Sequence, residues 1–373
     1  MADFEIDKLV FGPLDVDLSR SPLRKSLDAP TFVLGAFNPG LCRLPNGNLL
    51  LMVRVAEALR DPIDERHVYS IRWTPDGYVR DAFALADANT ADPRVFQLTH
   101  HHSRVLGLTS LSWLLPVELT PDGLEVAAVH YDRAIEPEAS YQMYGVEDPR
   151  ITLIDGVYYM TSCSVSPERH STTLYTSTDG MDWKLEGIIL DHQNKDMLFF
   201  EGTIDGAFHA LTRPQGECYF AYPPDSEWLG GASINLARSP DALHWRPLHG
   251  TGIRPRKGSK ANMRLGGGAQ PVRTDKGWLV LYHGVQTQDL IGIYRTFWAL
   301  LDLDDPSKIL RLEDEIPLLE GRADLTAHLE EHMYIHDVVF TTGIADGGEV
   351  WIVASGEADL ACRMTHIPKS VFD

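Results

Sequence analysis

The chain has 373 residues, 44% of them hydrophobic, and is long enough to bury a large core. Aspartate and glutamate outnumber lysine and arginine by 53 to 33, which gives a formal net charge of -20 at pH 7. This charge argues against nucleic acid or an anionic membrane as a partner, because both require a basic surface. An anionic ligand would need a local pocket of Arg and Lys.

The N-terminal segment and the cysteines indicate a cytoplasmic protein. The chain begins with acidic and polar residues, so we expect no secretory signal. No apolar run approaches the roughly 18–20 residues of a membrane span. The cysteines show no CxxC spacing, which predicts reduced thiols and no metal site. They are Cys42, Cys163, Cys218 and Cys362.

Tight turns punctuate the chain, separated by short runs rich in Val, Ile, Leu, Tyr, Trp and Thr. Asp-Gly and Asn-Gly supply the positive φ angles that hairpin turns require. In chain order the turns are Asn46-Gly47, Pro75-Asp76-Gly77, Pro121-Asp122-Gly123, Asp155-Gly156, Asp179-Gly180, Asp205-Gly206 and Pro240-Asp241. They predict antiparallel hairpins, among them Ile151–Ile154 with Val157–Thr161 and Leu174–Ser177 with Asp182–Leu185.

A second pattern recurs beside two of these turns. Segments 177–183 and 239–245 each contain a Ser, then an Asp two residues later, then a Trp at the end. Such a repeat is typical of the outer hairpins of propeller blades. Only Ala323–His332 has a helical pattern. Many short strands, few helices and roughly four strands per blade predict an all-β fold, a five-bladed β-propeller formed by a single domain over residues 1–373.

The tetrapeptide Glu147-Asp148-Pro149-Arg150 is the sharpest local feature. Because proline disfavours the helical region at the preceding residue, we expect Asp148 to be extended at the start of a strand. A carboxylate there can reach the central mouth of a propeller. Arg150 would lie on the same face and lower the pKa of Asp148, so we expect Arg150 to pair elsewhere, with Glu147 or with substrate. A purely structural Asp-Arg pair is the alternative.

Six segments, in sequence order, resemble the signatures of glycoside hydrolase family 130. They are 145–159, Asn194–Phe199, Leu211–Pro214, Gly277–Val285, Asp337–Phe340 and Gly356–Asp359. Together with Asn38 they span nearly the whole chain. The resemblance implies a five-bladed propeller and an enzyme that acts on β-mannosides. Members of the family are inverting β-mannoside phosphorylases, with a minority of β-mannosidases.

The resemblance also implies roles for individual residues. Asp148 would be the general acid that protonates the glycosidic oxygen. The residues expected to contact the sugar are Asn38, Arg54, Glu147, Arg150, Asp196, Tyr282 and Asp359. Two of these also have structural explanations, since Asn38 precedes a proline and suits a turn, and Asp359 could cap one.

Phosphorolysis and hydrolysis require different partners for the acid. Inverting hydrolysis needs a second carboxylate to activate water, whereas phosphorolysis needs cations that hold phosphate. The resemblance places Arg213 and Arg264 at phosphate-binding positions, with Lys195 and His283 completing the site. We therefore expect inorganic phosphate as co-substrate, with no cofactor and no metal. For Lys195 and Arg264 an ordinary solvated charge is the alternative.

Two glutamates keep hydrolysis open. Glu217 follows the segment that carries Arg213, and Glu227 lies further along the same loop; either would be the base of an inverting β-mannosidase. A non-catalytic carbohydrate-binding propeller is a third hypothesis. The basic residues favour the phosphorylase, which would yield α-mannose 1-phosphate and a shortened acceptor. The linkage, the acceptor sugar and the oligomeric state stay open, a homo-oligomer included.

The run Gly266-Gly267-Gly268 invites a nucleotide-binding interpretation. It lacks the strand-to-helix setting and the Lys-Ser/Thr pair of a phosphate-binding loop. We instead expect these glycines to let the backbone turn close to the site.

Overall fold

The computed structural model describes residues 4–92, 94–101, 104–216, 218–248, 252–288 and 291–373. Within these residues β-strands dominate, which confirms the all-β prediction. The strands of the first half are β1 (Asp7–Phe11), β2 (Thr31–Arg43), β3 (Leu49–Leu59), β4 (His67–Thr74), β5 (Gly77–Ala84), β6 (Ala88–Asp92), β7 (Val95–Leu98), β8 (Val105–Leu108), β9 (Ser110–Leu119), β10 (Val126–Val129), β11 (Val146–Ile154), β12 (Val157–Val165), β13 (His170–Ser177) and β14 (Lys184–Leu190).

The second half continues in the same manner. Its strands are β15 (Asn194–Ile204), β16 (Ala207–Pro214), β17 (Asn235–Ser239), β18 (Arg246–Pro247), β19 (Arg264–Gly267), β20 (Val272–Thr274), β21 (Gly277–Gln286), β22 (Ile293–Leu301), β23 (Ile309–Glu313), β24 (Val339–Asp346), β25 (Val350–Glu357) and β26 (Ala361–Pro368). The predicted helix at 323–332 is present as α1 (Ala323–Thr326), which continues into the 3₁₀ turn Ala327–His332. The other 3₁₀ turns are Pro13–Asp15, Leu18–Arg20, Pro22–Lys25, Leu85–Asp87, Tyr131–Arg133, Ser140–Gln142 and Lys369–Phe372.

Five antiparallel sheets of four or five strands follow one another along the chain. Their strand orders are β10-β9-β3-β2, β11-β12-β13-β14, β15-β16-β17-β18, β19-β21-β22-β23 with β20 also on β21, and β1-β26-β25-β24. The fifth sheet joins the two ends of the chain, since β1 pairs with β26. Neighbouring sheets contact through their first strands: β2 contacts β11, β11 contacts β15, and β15 contacts β19. Strand β24 of the fifth sheet contacts both the fourth sheet and β2 of the first.

A separate hydrophobic cluster fills each of the five boundaries between neighbouring sheets. Trp113 of the first sheet packs in one cluster with Met364 of the fifth, and Leu114 of the first packs in another with Met160 of the second. The second and third, third and fourth, and fourth and fifth sheets share the remaining three clusters. Because burial of one large apolar side chain contributes about 1.5–3 kcal/mol, these clusters supply most of the driving force that holds the sheets together.

All seven predicted turns lie between paired antiparallel strands, as expected from their Asp-Gly and Asn-Gly chemistry. The repeated Ser and Asp pattern also has a physical basis. The Ser177 hydroxyl donates to Asp179 Oδ1 at 2.9 Å, and the same oxygen accepts two backbone amides of the turn. Ser239 and Asp241 repeat this network with a hydroxyl distance of 3.1 Å. The sequence repeat therefore encodes one type of outer hairpin turn.

Segment 60–109 departs from this regular order. The chain leaves the first sheet after β3, forms the small sheets β4-β5 and β6-β7-β8, and rejoins the first sheet at β9. All four cysteines, each of which the structure describes, are free thiols, in agreement with the prediction. In the described part of the chain, no helix combines the length and the apolar character needed to cross a membrane.

Candidate active site

A cavity of about 520 Å³ lies where the five large sheets and the inserted segment meet. Its charged walls are formed by six cationic side chains, Arg54, Arg94, Arg104, Lys195, Arg213 and Arg264, and by four carboxylates, Asp92, Asp148, Asp196 and Asp359. The cavity therefore carries an excess of positive charge although the whole chain is strongly acidic. Such a local excess suits an anionic ligand.

Strands β2, β11 and β15 each present a polar side chain to this cavity from a β-bulge with a positive φ angle. Asn38, Asp148 and Asp196 have φ angles of 47°, 48° and 56°, and each lies at a register shift of β2, β11 or β15. Asn and Asp tolerate the left-handed region better than other residues, and a β-bulge re-aims the side chain at its position. The prediction of an extended Asp148 is wrong, because the bulge overrides the local preference of a residue before proline.

Asp148 lies at one end of a chain of ionic contacts. Its Oδ1 accepts a hydrogen bond of 3.0 Å from Asn38 Nδ2 and one of 2.9 Å from Arg54 Nη1. Arg54 Nη2 donates to Glu147 Oε1 at 2.8 Å, and Lys195 Nζ donates to Glu147 Oε2 at 3.0 Å. Glu147 is buried and holds both cations from behind the cavity.

These contacts set the protonation state of Asp148. Burial would raise the pKa of its carboxyl, but the charges of Arg54, Lys195 and Arg150 outweigh burial and hold the pKa below its usual range. Asp359 shows the opposite balance, since burial raises its pKa and Arg54 offsets this only in part. The protein groups around Asp148 therefore favour its carboxylate form, whereas a general acid must be protonated.

Arg150 was predicted to pair with Glu147 or with substrate, and it does not pair with Glu147. Its Nε donates to the carbonyl oxygen of Gly268 at 2.6 Å, and its Nη1 donates to the carbonyl oxygen of Asp148 at 2.8 Å. A further contact of 3.5 Å joins its Nη2 to Asp196 Oδ1. Arg150 is buried, and the described residues lining the cavity do not include it. Arg150 therefore supports the backbone at Asp148 and Gly268, and its predicted sugar contact is not supported.

Three predicted phosphate ligands reach the cavity. Arg213 Nη1 lies 3.0 Å from Asp196 Oδ2, and Lys195 is held by Glu147 as described. Arg264 Nη2 donates to the hydroxyl of Tyr294 at 2.7 Å, which fixes its guanidinium at the cavity wall. The alternative of a freely solvated Lys195 is at odds with this position.

The predicted place of His283 among the phosphate ligands is not supported, because the described residues that line the cavity do not include it. It is fully buried, and burial together with the charges of Arg213 and Arg150 lowers its pKa well below the usual value. Nε2 of the neutral ring lies 3.2 Å from Arg213 Nη1, so the ring can orient the guanidinium. His283 therefore supports Arg213 from behind instead of binding the anion.

Tyr282 and Glu147 are placed away from the cavity, so their predicted sugar contacts are not supported. Successive residues of a strand point to opposite faces, and Tyr282 points away from the face used by His283. Its ring packs in the cluster between the third and fourth sheets, and its hydroxyl donates to the carbonyl of Glu313 at 2.9 Å. Of the predicted sugar contacts, Asn38, Arg54, Asp196 and Asp359 line the cavity.

The two predicted hydrolytic bases have different outcomes. Glu217 lies outside the described residues. Glu227 is exposed in the loop after β16, and its carbonyl accepts a hydrogen bond from the amide of Lys257. The described residues that line the cavity do not include Glu227, so the structure gives no support to its assignment as a base.

The inserted segment contributes residues that the sequence motifs did not reveal. Asp92, Arg94 and Arg104 line the cavity, and Arg94 Nη2 forms an ion pair of 2.9 Å with Asp92 Oδ2. A second cavity of about 390 Å³ shares these three residues with the first and extends toward Gln97 and Tyr334. No sequence motif marks these three residues as part of a site.

The glycine run lies against the site, which confirms the expected close approach of its backbone. A Cβ atom on Gly266 would lie 2.3 Å from His283 Cε1 and 2.5 Å from Asp196 Oδ2. A Cβ atom on Gly267 would lie 2.6 Å from Leu198 Cδ1. No side chain larger than hydrogen fits at these positions without displacing its neighbours.

Gly266→Ala is therefore expected to destabilise the protein by about 1–3 kcal/mol through overpacking. Since the added methyl group pushes on Asp196 and His283, which hold Arg213, the affinity for an anion should also fall. Thermal unfolding and anion titration would measure the two effects. Gly12→Ala is the control, because its Cβ atom would meet Ala361 at 3.3 Å, a tight contact but far less severe than the 2.3 Å at Gly266. Equal behaviour of the two variants would contradict this account.

Comparisons with known proteins identify related enzymes. A family model described as beta-1,4-mannooligosaccharide phosphorylase matches residues 111–373. The chain is 32% identical over 355 residues to a beta-1,2-mannobiose phosphorylase of Listeria innocua, covering 93% of this chain and 92% of that protein. It is 32% identical over 225 residues to a 1,2-beta-oligomannan phosphorylase of Thermoanaerobacter sp., covering 60% and 68%. The solved structure of a Listeria innocua beta-1,2-mannobiose phosphorylase with beta-1,2-mannobiose superposes with a TM-score of 0.79 at 29% identity, covering 97% of this chain and 95% of that one.

Proposed function

The chain belongs to glycoside hydrolase family 130, and from this premise we propose that it is an inverting β-mannoside phosphorylase. Phosphate attacks the anomeric carbon of the terminal mannosyl unit from the face opposite the leaving group. The bond from that carbon to the glycosidic oxygen breaks, and Asp148 delivers a proton toward the departing oxygen. The products are α-mannose 1-phosphate and an acceptor shortened by one unit.

The observation that carries this proposal is the charge of the cavity. Lys195, Arg213 and Arg264 line one cavity together with Asp148, whereas Glu227 lies elsewhere on the surface. A phosphate dianion needs cationic partners that are already in place, because such groups stabilise charge without reorganisation during the reaction. In this proposal these three residues hold phosphate beside Asp148, and their charge supports phosphorolysis over hydrolysis.

The sugar end of the site is formed by the other polar groups of the cavity. Asn38, Arg54 and Asp359 surround Asp148 and are available for the hydroxyl groups of a mannosyl unit. The carboxylate of Asp359 accepts hydrogen bonds well, and the cationic Arg54 donates them. Asp359 follows Ala358, and both have left-handed φ angles, of 50° and 56°, in the tight connection between β25 and β26. That connection aims the carboxylate into the cavity.

We infer a β-1,2 linkage, because the relative that matches over nearly its whole length is a beta-1,2-mannobiose phosphorylase. The test is a panel of β-1,2-, β-1,3- and β-1,4-mannobiose, each incubated with inorganic phosphate. We expect mannose 1-phosphate from the β-1,2 disaccharide at a rate far above that of the others. Preference for another linkage would overturn the linkage assignment alone, and no turnover of any β-mannoside would overturn the function.

The second cavity is the natural place for longer acceptors. It continues from the first over the inserted strands β6, β7 and β8, so the reducing-end units of a chain can extend along it. Gln97 lines the second cavity only. Its amide offers donors and an acceptor for sugar hydroxyl groups.

Gln97→Ala should therefore raise the KM for β-1,2-mannotriose and longer chains about two- to tenfold, the effect of one lost hydrogen bond. The KM for β-1,2-mannobiose should stay unchanged, because the disaccharide fills the first cavity. Initial rates with a series of chain lengths would measure this. An equal increase for the disaccharide would contradict the assignment of the second cavity.

We further infer that the five large sheets are the blades of one β-propeller and that residues 1–373 form one domain. The contacts of the inner strands run from sheet to sheet and return to the first, and a separate apolar cluster lies at each boundary. Pairing of β1 with β26 joins the chain ends within one sheet. A cytoplasmic location is consistent with four free cysteines.

A further inference from the structure

Glu147 occupies a position that the proposed reaction does not yet explain. It is a buried carboxylate next to the general acid in sequence, yet it lies behind the cavity. One of its oxygens accepts a hydrogen bond of 2.8 Å from Arg54, and the other accepts one of 3.0 Å from Lys195. Arg54 in turn contacts Asp148 at 2.9 Å. Lys195, Glu147, Arg54 and Asp148 therefore form a continuous series of alternating charges that begins at the phosphate site.

We propose that Glu147 couples the phosphate site to the general acid, so that phosphate bound by Lys195 draws Arg54 toward Glu147 and lets Asp148 take up a proton. This inference rests on the proposed function. Glu147 is in this role a positioning residue, because it touches Lys195 and Arg54 and acts on the acid through them.

The physical reason is a competition for two cations. Lys195 and Arg54 share Glu147, and Arg54 also serves Asp148. A phosphate dianion that engages Lys195 leaves Glu147 with less positive charge beside it. The ion pair between Arg54 and Glu147 then becomes stronger, and the one between Arg54 and Asp148 becomes weaker. The negative charge of the phosphate also disfavours the ionised form of Asp148. Both changes favour the protonated form of Asp148.

Other charged and titratable groups around the pair bear on the same equilibrium. Those that influence Asp148 or Glu147 in the structure are Arg54 on β3, Arg150 on β11, Cys163 on β12, His170 on β13, Lys195 on β15, His283 on β21 and Asp359 after β25. The neutral amide of Asn38 on β2 adds a hydrogen bond to Asp148. Burial lowers the pKa of His170 to about 4, so it stays neutral near pH 7. Burial raises the pKa of Cys163 to about 12, so its thiol stays protonated. The charged lysine and arginine residues therefore dominate the balance around Asp148.

Such coupling would give the enzyme a chemical advantage. The acid would become protonated only when phosphate is present, so that the leaving oxygen receives its proton when the nucleophile is in place. In the reaction the proton passes from Asp148 to the glycosidic oxygen, and the carboxylate that remains pairs again with Arg54. A mannoside bound without phosphate would meet an ionised acid, which suppresses wasteful hydrolysis.

The test measures protons taken up when inorganic phosphate binds. Calorimetric titration of the intact protein at pH 7, in two buffers of different ionisation enthalpy, gives the number of protons per phosphate. We expect a net uptake in the unmodified protein that is largely lost in Asp148→Asn. The difference between the two proteins removes any protonation of phosphate itself. Equal uptake by both proteins would show that the proton does not go to Asp148 and would overturn the inference.

Glu147→Gln tests the coupling residue. The amide keeps the shape of the carboxylate but not its charge. Arg54 then has only Asp148 as an anionic partner in this series, which lowers the pKa of Asp148 further. We expect the alkaline limb of the kcat/KM profile for mannobiose at saturating phosphate to move about one pH unit toward acid. Proton uptake on phosphate binding should fall by more than half. Glu201→Gln, on the outer part of β15, is the matched control and should change neither measurement.

The outcomes separate this inference from the proposed function. If Glu147→Gln changes only stability or the KM for phosphate while the pH profile and proton uptake stay as before, Glu147 is merely structural and the coupling is refuted. Phosphorolysis by the unmodified protein would then still stand. If the unmodified protein produces no mannose 1-phosphate from any β-mannoside, the proposed function itself fails.

Discussion

Asp148→Asn is expected to lower kcat/KM for β-1,2-mannobiose about 10²- to 10⁴-fold, the usual contribution of a general acid. The amide keeps the hydrogen bonds to Asn38 and Arg54 close to their present geometry but has no proton to give to a sugar leaving group. Binding of phosphate should survive, because the phosphate ligands lie on other strands. Steady-state rates of mannose 1-phosphate formation would measure the loss.

An activated substrate distinguishes loss of the acid from general damage to the site. A nitrophenyl β-mannoside has a leaving group that departs without protonation, so Asp148→Asn should lose far less activity on it. Asp359→Asn is the matched control, since it should impair both substrates through weaker sugar binding. If Asp148→Asn fails equally on both substrates while Asp359→Asn spares the activated one, the roles of the two carboxyl groups are reversed.

Arg213→Gln should raise the KM for phosphate about 10- to 100-fold. A hydrogen bond to a charged group is worth about 1.5–3 kcal/mol, and the substitution also removes the shorter of the two arginine contacts of Asp196, leaving only that of Arg150. The KM for mannobiose should change much less, because we propose that Asn38, Arg54 and Asp359 supply the sugar contacts. Measurement of both constants in the same preparation separates the two ends of the site.

Arg104→Gln provides the matched comparison for that prediction. Arg104 also lines the cavity, but it belongs to the inserted segment at the acceptor side. Arg104→Gln should raise the KM for the sugar and leave the KM for phosphate nearly constant. Equal effects of the two variants on phosphate would mean that the cavity has no distinct phosphate end.

Local signals predicted the hairpins well. The turns at Asp155-Gly156 and Asp179-Gly180 depend on the φ angles and hydrogen bonds of a few adjacent residues, and these requirements are visible in the sequence itself. The short helix at 323–332 was also recognisable from its pattern. The family resemblance brought Asp148, Lys195, Arg213 and Arg264 into one site, which hairpin signals alone could not do, because their strands lie far apart along the chain.

The remaining features depend on how strands meet in space. The left-handed conformation of Asp148 comes from a register shift against β12, which no local preference predicts. Tyr282 was assigned to the sugar although it is adjacent to His283 and must point to the other face of β21. Arg94 and Arg104 carry no motif and reach the cavity only because the inserted sheet folds back over it.

The most direct test of the account compares the products of β-1,2-mannobiose with and without inorganic phosphate. With phosphate we predict one α-mannose 1-phosphate and one mannose for each disaccharide consumed, and almost no turnover when phosphate is withheld. Release of two mannose molecules per disaccharide at the same rate in both conditions would show that water is the nucleophile and would contradict the assignment of Lys195, Arg213 and Arg264 to phosphate.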